Sequence, residues 1–350
     1  MKAIPLLAVC AISALVSGCV ESVSGDAVRA TESSTSPRSS YRDKLSAELR
    51  KQLDRARELQ KVDPCSLIDL DAAGRLATIT SVGTAAKPIN CEIEYQVPQQ
   101  PATYPDEGLS DVPGLPRLLQ SGQRYSVTGG TEAVDHVGSM CFKRLFTGYE
   151  DAEGKEMISY SLSVSGNAIG AQDPTPRCQD LEPLVNASRP FAAHPTLRAD
   201  SRRLPQSKLM NVDPCAVIDA LSGQPKVEIS TPIYPFSCAF KPEGGTKRSI
   251  TLLFEEADAA RRSIEPAKSG RSSVNKYLDL LGAQATISAS GGDCMLIAYL
   301  DLDRPISGSD PLSQKPWIPK VMVNAEDENA SCPKAVEAAT EVVRLYKEAK

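Results

Sequence analysis

An eight-residue segment occurs twice in this chain, and this repeat constrains the fold more than any other sequence feature. Residues 62–69 read VDPCSLID and residues 212–219 read VDPCAVID, so six of eight positions are identical at an offset of 150 residues. Four cysteines accompany each copy at similar intervals: Cys65, Cys91, Cys141 and Cys178 in the first, and Cys215, Cys238, Cys294 and Cys332 in the second. The sequence therefore predicts two homologous domains in tandem, at residues 61–188 and 211–350.

Both copies show the same order of predicted elements. The aspartate of the repeated D-P-C motif is expected to cap a helix whose first residue is the proline. Alternating apolar and polar residues at 89–97 predict a half-buried strand, and Gly244 with Gly245 predicts a hairpin turn in the second copy. The apolar run 294–300 predicts a strand buried on both faces. A helix follows the fourth cysteine of each copy, so the fold class is α+β, with an antiparallel sheet flanked by helices in each domain.

The eight cysteines of the repeats are expected to form structural disulfides. The interval between the first and second cysteines changes from 26 to 23 residues between the copies, and that between the third and fourth from 37 to 38. The middle interval changes more. Because a bridge constrains the chain between its ends, we expect two bridges in each copy, joining these pairs: Cys65–Cys91, Cys141–Cys178, Cys215–Cys238 and Cys294–Cys332.

The N-terminus has the layout of an export signal. Lys2 precedes a short apolar run that is too short to span a bilayer as a mature helix, and the run ends in Val16-Ser17-Gly18-Cys19. This ending resembles the lipobox of bacterial lipoproteins, in which the thiol receives lipid. Residues 1–18 are therefore expected to be a signal peptide and Cys19 the lipidated residue. Residues 19–40 are rich in serine and threonine and predict a flexible tether.

Two further segments connect the predicted domains to their surroundings. Leucines and an alanine recur at helical spacing through residues 41–60, which predicts an amphipathic helix. We expect this helix to lie on the first domain, or alternatively to form a self-associating stalk. Residues 189–210 hold three prolines and four arginines and predict a partly extended, exposed linker.

Charge and motif content narrow the possible functions. The formal net charge is −5, which argues against a nucleic-acid scaffold. The two histidines, His136 and His194, are read as loop residues, and no catalytic motif, metal motif or cofactor is predicted. Three remaining candidates are weaker: an aspartate group (Asp301, Asp303 and Asp310) for Ca²⁺, the pair Glu92 and Glu94 on a solvent-facing strand surface, and Trp317 at a core edge or contact surface.

The lipobox, the Ser/Thr-rich tether and the two D-P-C motifs together resemble the actinobacterial lipoproteins grouped as domain of unknown function 3558. The resemblance covers Val16–Cys19, Asp63–Cys65 with Cys91, and Asp213–Cys215 with Cys238. It implies a lipid-anchored protein on the extracytoplasmic face of the cell membrane, and it implies no catalytic residue.

Three functions remain open at this point. The first is a non-catalytic binding module for a protein or an envelope lipid, which predicts an apolar groove or patch on one domain. The second is a scaffolding lipoprotein that oligomerises through residues 41–60. The third is an envelope hydrolase, which requires His136 beside a serine. If the two copies pack as one unit, a groove between them is the first place to look for a ligand.

Overall fold

The computed structural model describes residues 40–96, 116–126, 134–137, 140–151, 154–164, 178–221, 226–327 and 332–350, with the backbone alone for 116–126, 136, 137 and 164. The predicted signal peptide, Cys19 and the predicted tether up to residue 39 lie outside these residues. Within them the protein is a mixture of helix and antiparallel sheet, as predicted.

Two sheets follow each other along the chain. Five α-helices and thirteen strands are described. The helices are α1 (Ala47–Gln60), α2 (Leu70–Gly74), α3 (Leu181–Ala193), α4 (Ala257–Lys268) and α5 (Pro333–Glu348). The strands of the first sheet are β1 (Ile79–Thr84), β2 (Asn90–Tyr95), β3 (Pro116–Ser126), β4 (Val134–Val137), β5 (Met140–Asp151) and β6 (Gly154–Val164). Those of the second are β7 (Val227–Ile229), β8 (Ser237–Pro242), β9 (Arg248–Glu256), β10 (Lys276–Leu280), β11 (Ala283–Ser290), β12 (Asp293–Tyr299) and β13 (Trp317–Glu326).

The strand order is β1-β2-β3-β6-β5-β4 in the first sheet, called here the N-terminal sheet, and β7-β8-β9-β13-β12-β11-β10 in the C-terminal sheet. Cys91 lies on the second strand of the N-terminal sheet and Cys238 on the second strand of the C-terminal sheet. The two sheets meet where the β1–β2 turn approaches β9, since the Phe254 N–H donates to the Ala86 carbonyl at 2.8 Å. Contacts of this kind join the described residues into one compact unit, Ser39–Lys350.

Each sheet buries one face against its own core. Residues on β2 alternate between buried and half-buried, as the period of a strand requires. The N-terminal sheet packs on a cluster that includes Leu181 and Val185 of α3. The C-terminal sheet packs in the same way on a cluster that includes Val342 and Val343 of α5. The opposite face of each sheet, called here its outward face, carries the half-buried residues of the alternating pattern.

The repeated D-P-C motif performs the capping that its sequence predicts. The Asp63 carboxylate accepts from the Cys65 N–H at 2.7 Å, and the Asp213 carboxylate accepts from the Cys215 N–H at 3.0 Å. The turns that follow are 3₁₀ helices, Pro64–Leu67 and Pro214–Ala220, rather than the predicted start of an α-helix. In the first half helix α2 follows this turn before β1, whereas in the second half the next element is β7.

Four disulfides join the pairs that the spacing predicts: Cys65–Cys91, Cys141–Cys178, Cys215–Cys238 and Cys294–Cys332. In each half of the chain, one bridge ties the D-P-C turn to the second strand of the sheet. The other ties the sheet to a cysteine within three residues of the start of α3 or α5. The bridges therefore attach the turn and the helix of each half to their own sheet.

The segment 41–60 forms a 3₁₀ turn, Tyr41–Lys44, and then helix α1, and it does not lie mainly on the first predicted domain. Ser46 caps α1, and its hydroxyl accepts from the Leu49 N–H at 3.2 Å. Leu53 and Ala56 of α1 are buried in the same cluster as the core of the C-terminal sheet. Leu53 and Ala56 on the apolar stripe of this helix are thus covered by the second half of the same chain.

Residues 189–210, predicted as an exposed linker, are partly helical and partly buried. Helix α3 continues to Ala193, although it contains Pro190. Arg198 is 4% exposed and Leu204 is 1% exposed. The Arg202 carbonyl accepts from the Ser309 and Asp310 N–H groups at 2.7 and 2.9 Å. The polar composition predicted exposure, whereas the guanidinium of Arg198 is buried and donates hydrogen bonds to backbone carbonyls.

Two features of the C-terminal half differ from the sequence prediction. The pattern did not indicate helix α4, which packs Ala260 and Ile264 against Tyr299 and Ile318 on the outward face of the sheet. The β12 strand is buried on both faces only near Tyr299, which is 1% exposed, since Met295 on the same face is 41% exposed. Helix α4 covers one end of the outward face and leaves the other end open, which a local apolar run cannot reveal.

Candidate ligand-binding groove between the two sheets

A groove of about 660 Å³ lies between the outward faces of the two sheets. The β1–β2 turn at residues 87–90 and the loop at 234–237 close it where the sheets meet. The walls are formed by these side chains: Phe142, Ser159 and Ser161 of the N-terminal sheet, and Thr251, Leu253 and Met322 of the C-terminal sheet. The groove therefore combines apolar side chains with hydroxyl groups.

The alternation of side chains along each strand determines which residues reach the groove. On β5, Cys141 is buried in the N-terminal core, whereas its neighbour Phe142 is half-buried and lines the groove. On β9, Leu252 is buried in the C-terminal core, whereas Leu253 lines the groove. Both outward faces are thus turned toward the same space, and neither wall is complete without the other sheet.

Arg198 holds the closed end of the groove together. Its Nη2 donates to the Pro88 carbonyl at 2.5 Å, its Nε donates to the Gln60 carbonyl at 3.2 Å, and its guanidinium lies 5.5 Å from the centre of the Phe236 ring. Desolvation lowers the pKa of Arg198 to about 10, and the nearby Asp63 carboxylate acts in the opposite direction. The guanidinium therefore stays charged at neutral pH, and one buried cation joins α1, the β1–β2 turn and the loop before β8.

Phe236 lies in the closed end with a strained backbone. Its φ is +63°, in the left-handed region that residues with a side chain rarely adopt, and its side chain is only 2% exposed. The Phe236 carbonyl accepts from the Leu252 N–H at 2.8 Å, which holds the loop against β9. Strain of this kind is kept where surrounding contacts determine the conformation, and it often occurs at binding sites.

A second ionic contact joins the sheets near Trp317. The Lys315 ammonium lies 2.8 Å from Glu94, 3.8 Å from Glu92 and 2.7 Å from Glu256. Burial opposes the charge on Lys315, but hydrogen bonds to Glu256 and Glu94 outweigh it and raise its pKa above the usual value. The expectation that Glu92 and Glu94 face only solvent is therefore wrong, because the second half of the chain places a lysine over them.

Helix α1 makes the third connection between the halves. Arg55 binds the Glu156 carboxylate through two nitrogens, Nη2 at 2.7 Å and Nε at 2.9 Å. The hydroxyl of Tyr41 donates to the Asp213 carboxylate at 2.8 Å, and Arg57 also binds that carboxylate. Burial, followed by the nearby Asp213, raises the pKa of Tyr41 well above its usual value.

The other residues singled out from the sequence do not gather at one site. His194 is an exposed residue at the end of α3, and His136 lies on β4 with its side chain outside the described residues. Asp301 accepts from the Tyr346 hydroxyl at 2.7 Å, Asp310 caps the turn Pro311–Ser313, and Asp303 is exposed. Across the described ranges, no group of three or more histidine, cysteine, aspartate or glutamate residues is placed to hold a metal ion.

Trp317 belongs to the core edge rather than to a free surface. It is 6% exposed, its ring centre lies 6.4 Å from that of Phe254, and the Lys315 ammonium lies 5.6 Å from its ring centre.

Sequence reasoning missed the residues that form the groove. Phe142 and Met322, which line the groove, and Arg198, which contacts Pro88 and Phe236 of the lining, carry no motif, and they come together only because the two sheets pack against each other.

Comparison with known proteins gives no further guide to this site. No protein-family model, curated protein or solved structure matches the chain. None of the helices in the described residues is both long and apolar enough to span a bilayer.

Proposed function

We propose that this protein is a lipid-anchored envelope protein that binds an amphipathic lipid without changing it chemically. The groove between the sheets is the observation that supports the proposal. Its volume of about 660 Å³ lies within the range of small-molecule sites, which is roughly 300–1,000 Å³. A groove shared by two sheets departs from the sequence-based expectation of a site on one domain.

The chemistry of the walls favours a lipid chain over other ligands. Phe142, Leu253 and Met322 offer apolar surface, and methionine side chains adapt to ligands of irregular shape. The described lining also contains serine and threonine hydroxyls, one asparagine, one lysine and one tyrosine, but no carboxylate and no histidine. These groups suit binding of an apolar chain with a polar end.

The alternative functions have less support. A scaffolding role requires α1 to present an apolar face to another molecule, but Leu53, Ala56 and Leu59 of that helix are buried within the chain. A hydrolase requires His136 to meet a serine, and the side chain of His136 lies outside the described residues.

The duplication of the D-P-C domain is part of this proposal. The order of the first five strands from one edge is equivalent in the two sheets: β1-β2-β3-β6-β5 corresponds to β7-β8-β9-β13-β12. The disulfides fall at equivalent places in that order. Both observations support two related copies, and the resemblance to the D-P-C lipoproteins supports an envelope location.

Replacing Cys19 with alanine should remove the lipid anchor. We expect Cys19→Ala protein to lose labelling by a fatty-acid probe and to leave the membrane fraction, since the thiol is the proposed acyl acceptor and two acyl chains give stable anchoring. Cys10→Ala is the matched control, because Cys10 lies in the predicted signal peptide. Labelling of the Cys19→Ala protein at the wild-type level would show that the lipobox assignment is wrong.

Polar substitutions in the groove should weaken lipid binding. We expect the double variant Leu253→Gln/Met322→Gln to bind 11-(dansylamino)undecanoic acid at least about tenfold more weakly than the wild type, because each amide loses apolar contact with the chain. Dansyl fluorescence in a titration of the purified protein measures this affinity. Both side chains are half-buried on an outward face, so the cores are untouched.

The control for this experiment is Val274→Gln, a polar substitution outside the groove. Val274 is 68% exposed and lies before β10, away from the described lining. It should leave probe binding unchanged. Absence of saturable probe binding by the wild type would contradict the lipid assignment.

A further inference from the structure

A second depression, of about 620 Å³, lies on the outward face of the C-terminal sheet beyond the groove. Its centre is one cross-strand row of four residues on β9, β13, β12 and β11. Ser249 is in register with Asn324, Asn324 with Met295, and Met295 with Ser288. We call this row the polar row.

The polar row directly continues the groove. Thr251 and Met322, which line the groove, are paired with each other and lie two residues along their strands from Ser249 and Asn324. Residues two apart on a strand point to the same face and are separated by about 7 Å. The groove and the depression therefore form one continuous surface rather than two separate sites.

This surface changes from apolar to polar along the strands. At one end helix α4 covers this surface, and Ile264 of α4 and Tyr299 of β12 belong to the same apolar cluster. The groove follows, and then the polar row. Beyond that row lie charged residues of both signs, Lys247, Asp293 and Glu326. An amphipathic molecule lying along the surface would have its chain in the groove and its polar end at the polar row.

The side chains of the polar row are available to a ligand. No hydrogen bond is described for the Ser249 hydroxyl, the Ser288 hydroxyl or the Asn324 amide, and all three are half-buried. The nearby hydroxyls of Ser237 and Thr251, by contrast, make hydrogen bonds within the protein. Three groups that both donate and accept hydrogen bonds are thus placed in one row beside the exposed Met295 side chain.

We infer that the polar row holds a hydroxyl-bearing head group, such as a sugar or a polyol, of the amphiphile whose chain occupies the groove. Hydroxyl and amide side chains both donate and accept hydrogen bonds, which matches the hydroxyls of such a head group. Met295 offers an apolar surface for the C–H groups of the head group. An anionic head group fits less well, because the carboxylates of Asp293 and Glu326 offset the charges of Lys247 and Arg248, and Arg248 is already paired with Glu337. This inference rests on the proposed function of the groove.

Competition between two ligands of equal chain length tests the inference. n-Decyl-β-D-glucoside and 1-decanol, both below their aggregation limits, are titrated against the bound dansyl fatty acid in the full-length protein. We expect the wild type to bind the glucoside about tenfold more tightly, which is the effect of one or two additional net hydrogen bonds. Methyl-β-D-glucoside, which has the head group without the chain, should not displace the probe.

Substitutions in the polar row should remove only the contribution of the head group. In the triple variant Ser249→Ala/Ser288→Ala/Asn324→Ala, the glucoside and 1-decanol should bind equally, with 1-decanol affinity as in the wild type. Ser273→Ala, at an exposed serine outside the depression, is the control and should keep the tenfold preference. Variant folding is checked through the fluorescence of Trp317.

The outcomes separate the two proposals. If 1-decanol binds but the glucoside shows no preference in the wild type, or if the preference survives in the triple variant, the head-group assignment is wrong and the groove proposal stands. If neither ligand displaces the probe from the wild type, both are wrong. Displacement by methyl-β-D-glucoside alone would replace the amphiphile with a free sugar and would also overturn the inference.

Discussion

Replacing Arg55 with methionine is expected to lower the free energy of unfolding by about 3–5 kcal/mol. Arg55 binds both oxygens of Glu156, whose side chain is fully buried, and the Thr147 hydroxyl donates to the same carboxylate at 3.0 Å. Without the guanidinium, this carboxylate would remain in the interior with only the hydroxyl as a side-chain partner. The loss would be measured by chemical denaturation monitored by circular dichroism.

Two further variants separate the buried ion pair from a general effect on the helix. Arg50→Met changes an exposed arginine of the same helix and should alter stability by less than about 0.5 kcal/mol. Arg55→Met/Glu156→Met removes both charges together and should recover most of the lost stability, because no unpaired carboxylate remains. Equal stability of the wild type and the Arg55→Met protein would mean that the pair does not hold α1 on the N-terminal sheet.

Removal of either long-loop disulfide should destabilise the whole described unit by about 4 kcal/mol. The bridges Cys141–Cys178 and Cys294–Cys332 close chain segments of 37 and 38 residues, so the expected effects are nearly equal. Because Arg198, Lys315 and α1 connect the halves, we expect one cooperative transition. The paired variants are Cys141→Ala/Cys178→Ala and Cys294→Ala/Cys332→Ala.

The only tryptophan makes this experiment decisive for the relation between the two halves. Trp317 lies in the C-terminal sheet, so its fluorescence reports on the half of the molecule that does not contain Cys141 and Cys178. A single unit predicts that Cys141→Ala/Cys178→Ala shifts the Trp317 transition as far as it shifts the circular dichroism signal. An unchanged Trp317 transition would instead show that the two halves unfold independently.

Sequence reasoning predicted the features that depend on neighbouring residues or on covalent bonds. The disulfide pairs followed from intervals that vary little between the copies, since a bridge limits the chain between its ends. The capping role of Asp63 and Asp213 followed from the proline that comes next. The hairpin turn at Gly244 was also predicted, because glycine readily adopts a positive φ, and the φ of Gly244 is +68°.

The errors concern positions whose environment comes from distant parts of the chain. Arg198 looked like part of a polar linker, yet it is buried because the carbonyls of Gln60 and Pro88 converge on it. Glu92 and Glu94 looked like a solvent face, yet Lys315 binds both. Local patterns show the spacing of polar residues, but they do not show which partner the fold brings to them.

The sequence by itself determined the mixed helix and antiparallel-sheet class, the four disulfide pairs and the two capped D-P-C turns, because these depend on short-range geometry and on the chain lengths between cysteines. Only the tertiary structure decided that α1 is buried against the second half and that the two outward faces enclose a groove. Those features depend on side-chain packing between segments far apart in the chain. The free energy of such packing depends on complementary surfaces, which no periodicity within one segment records.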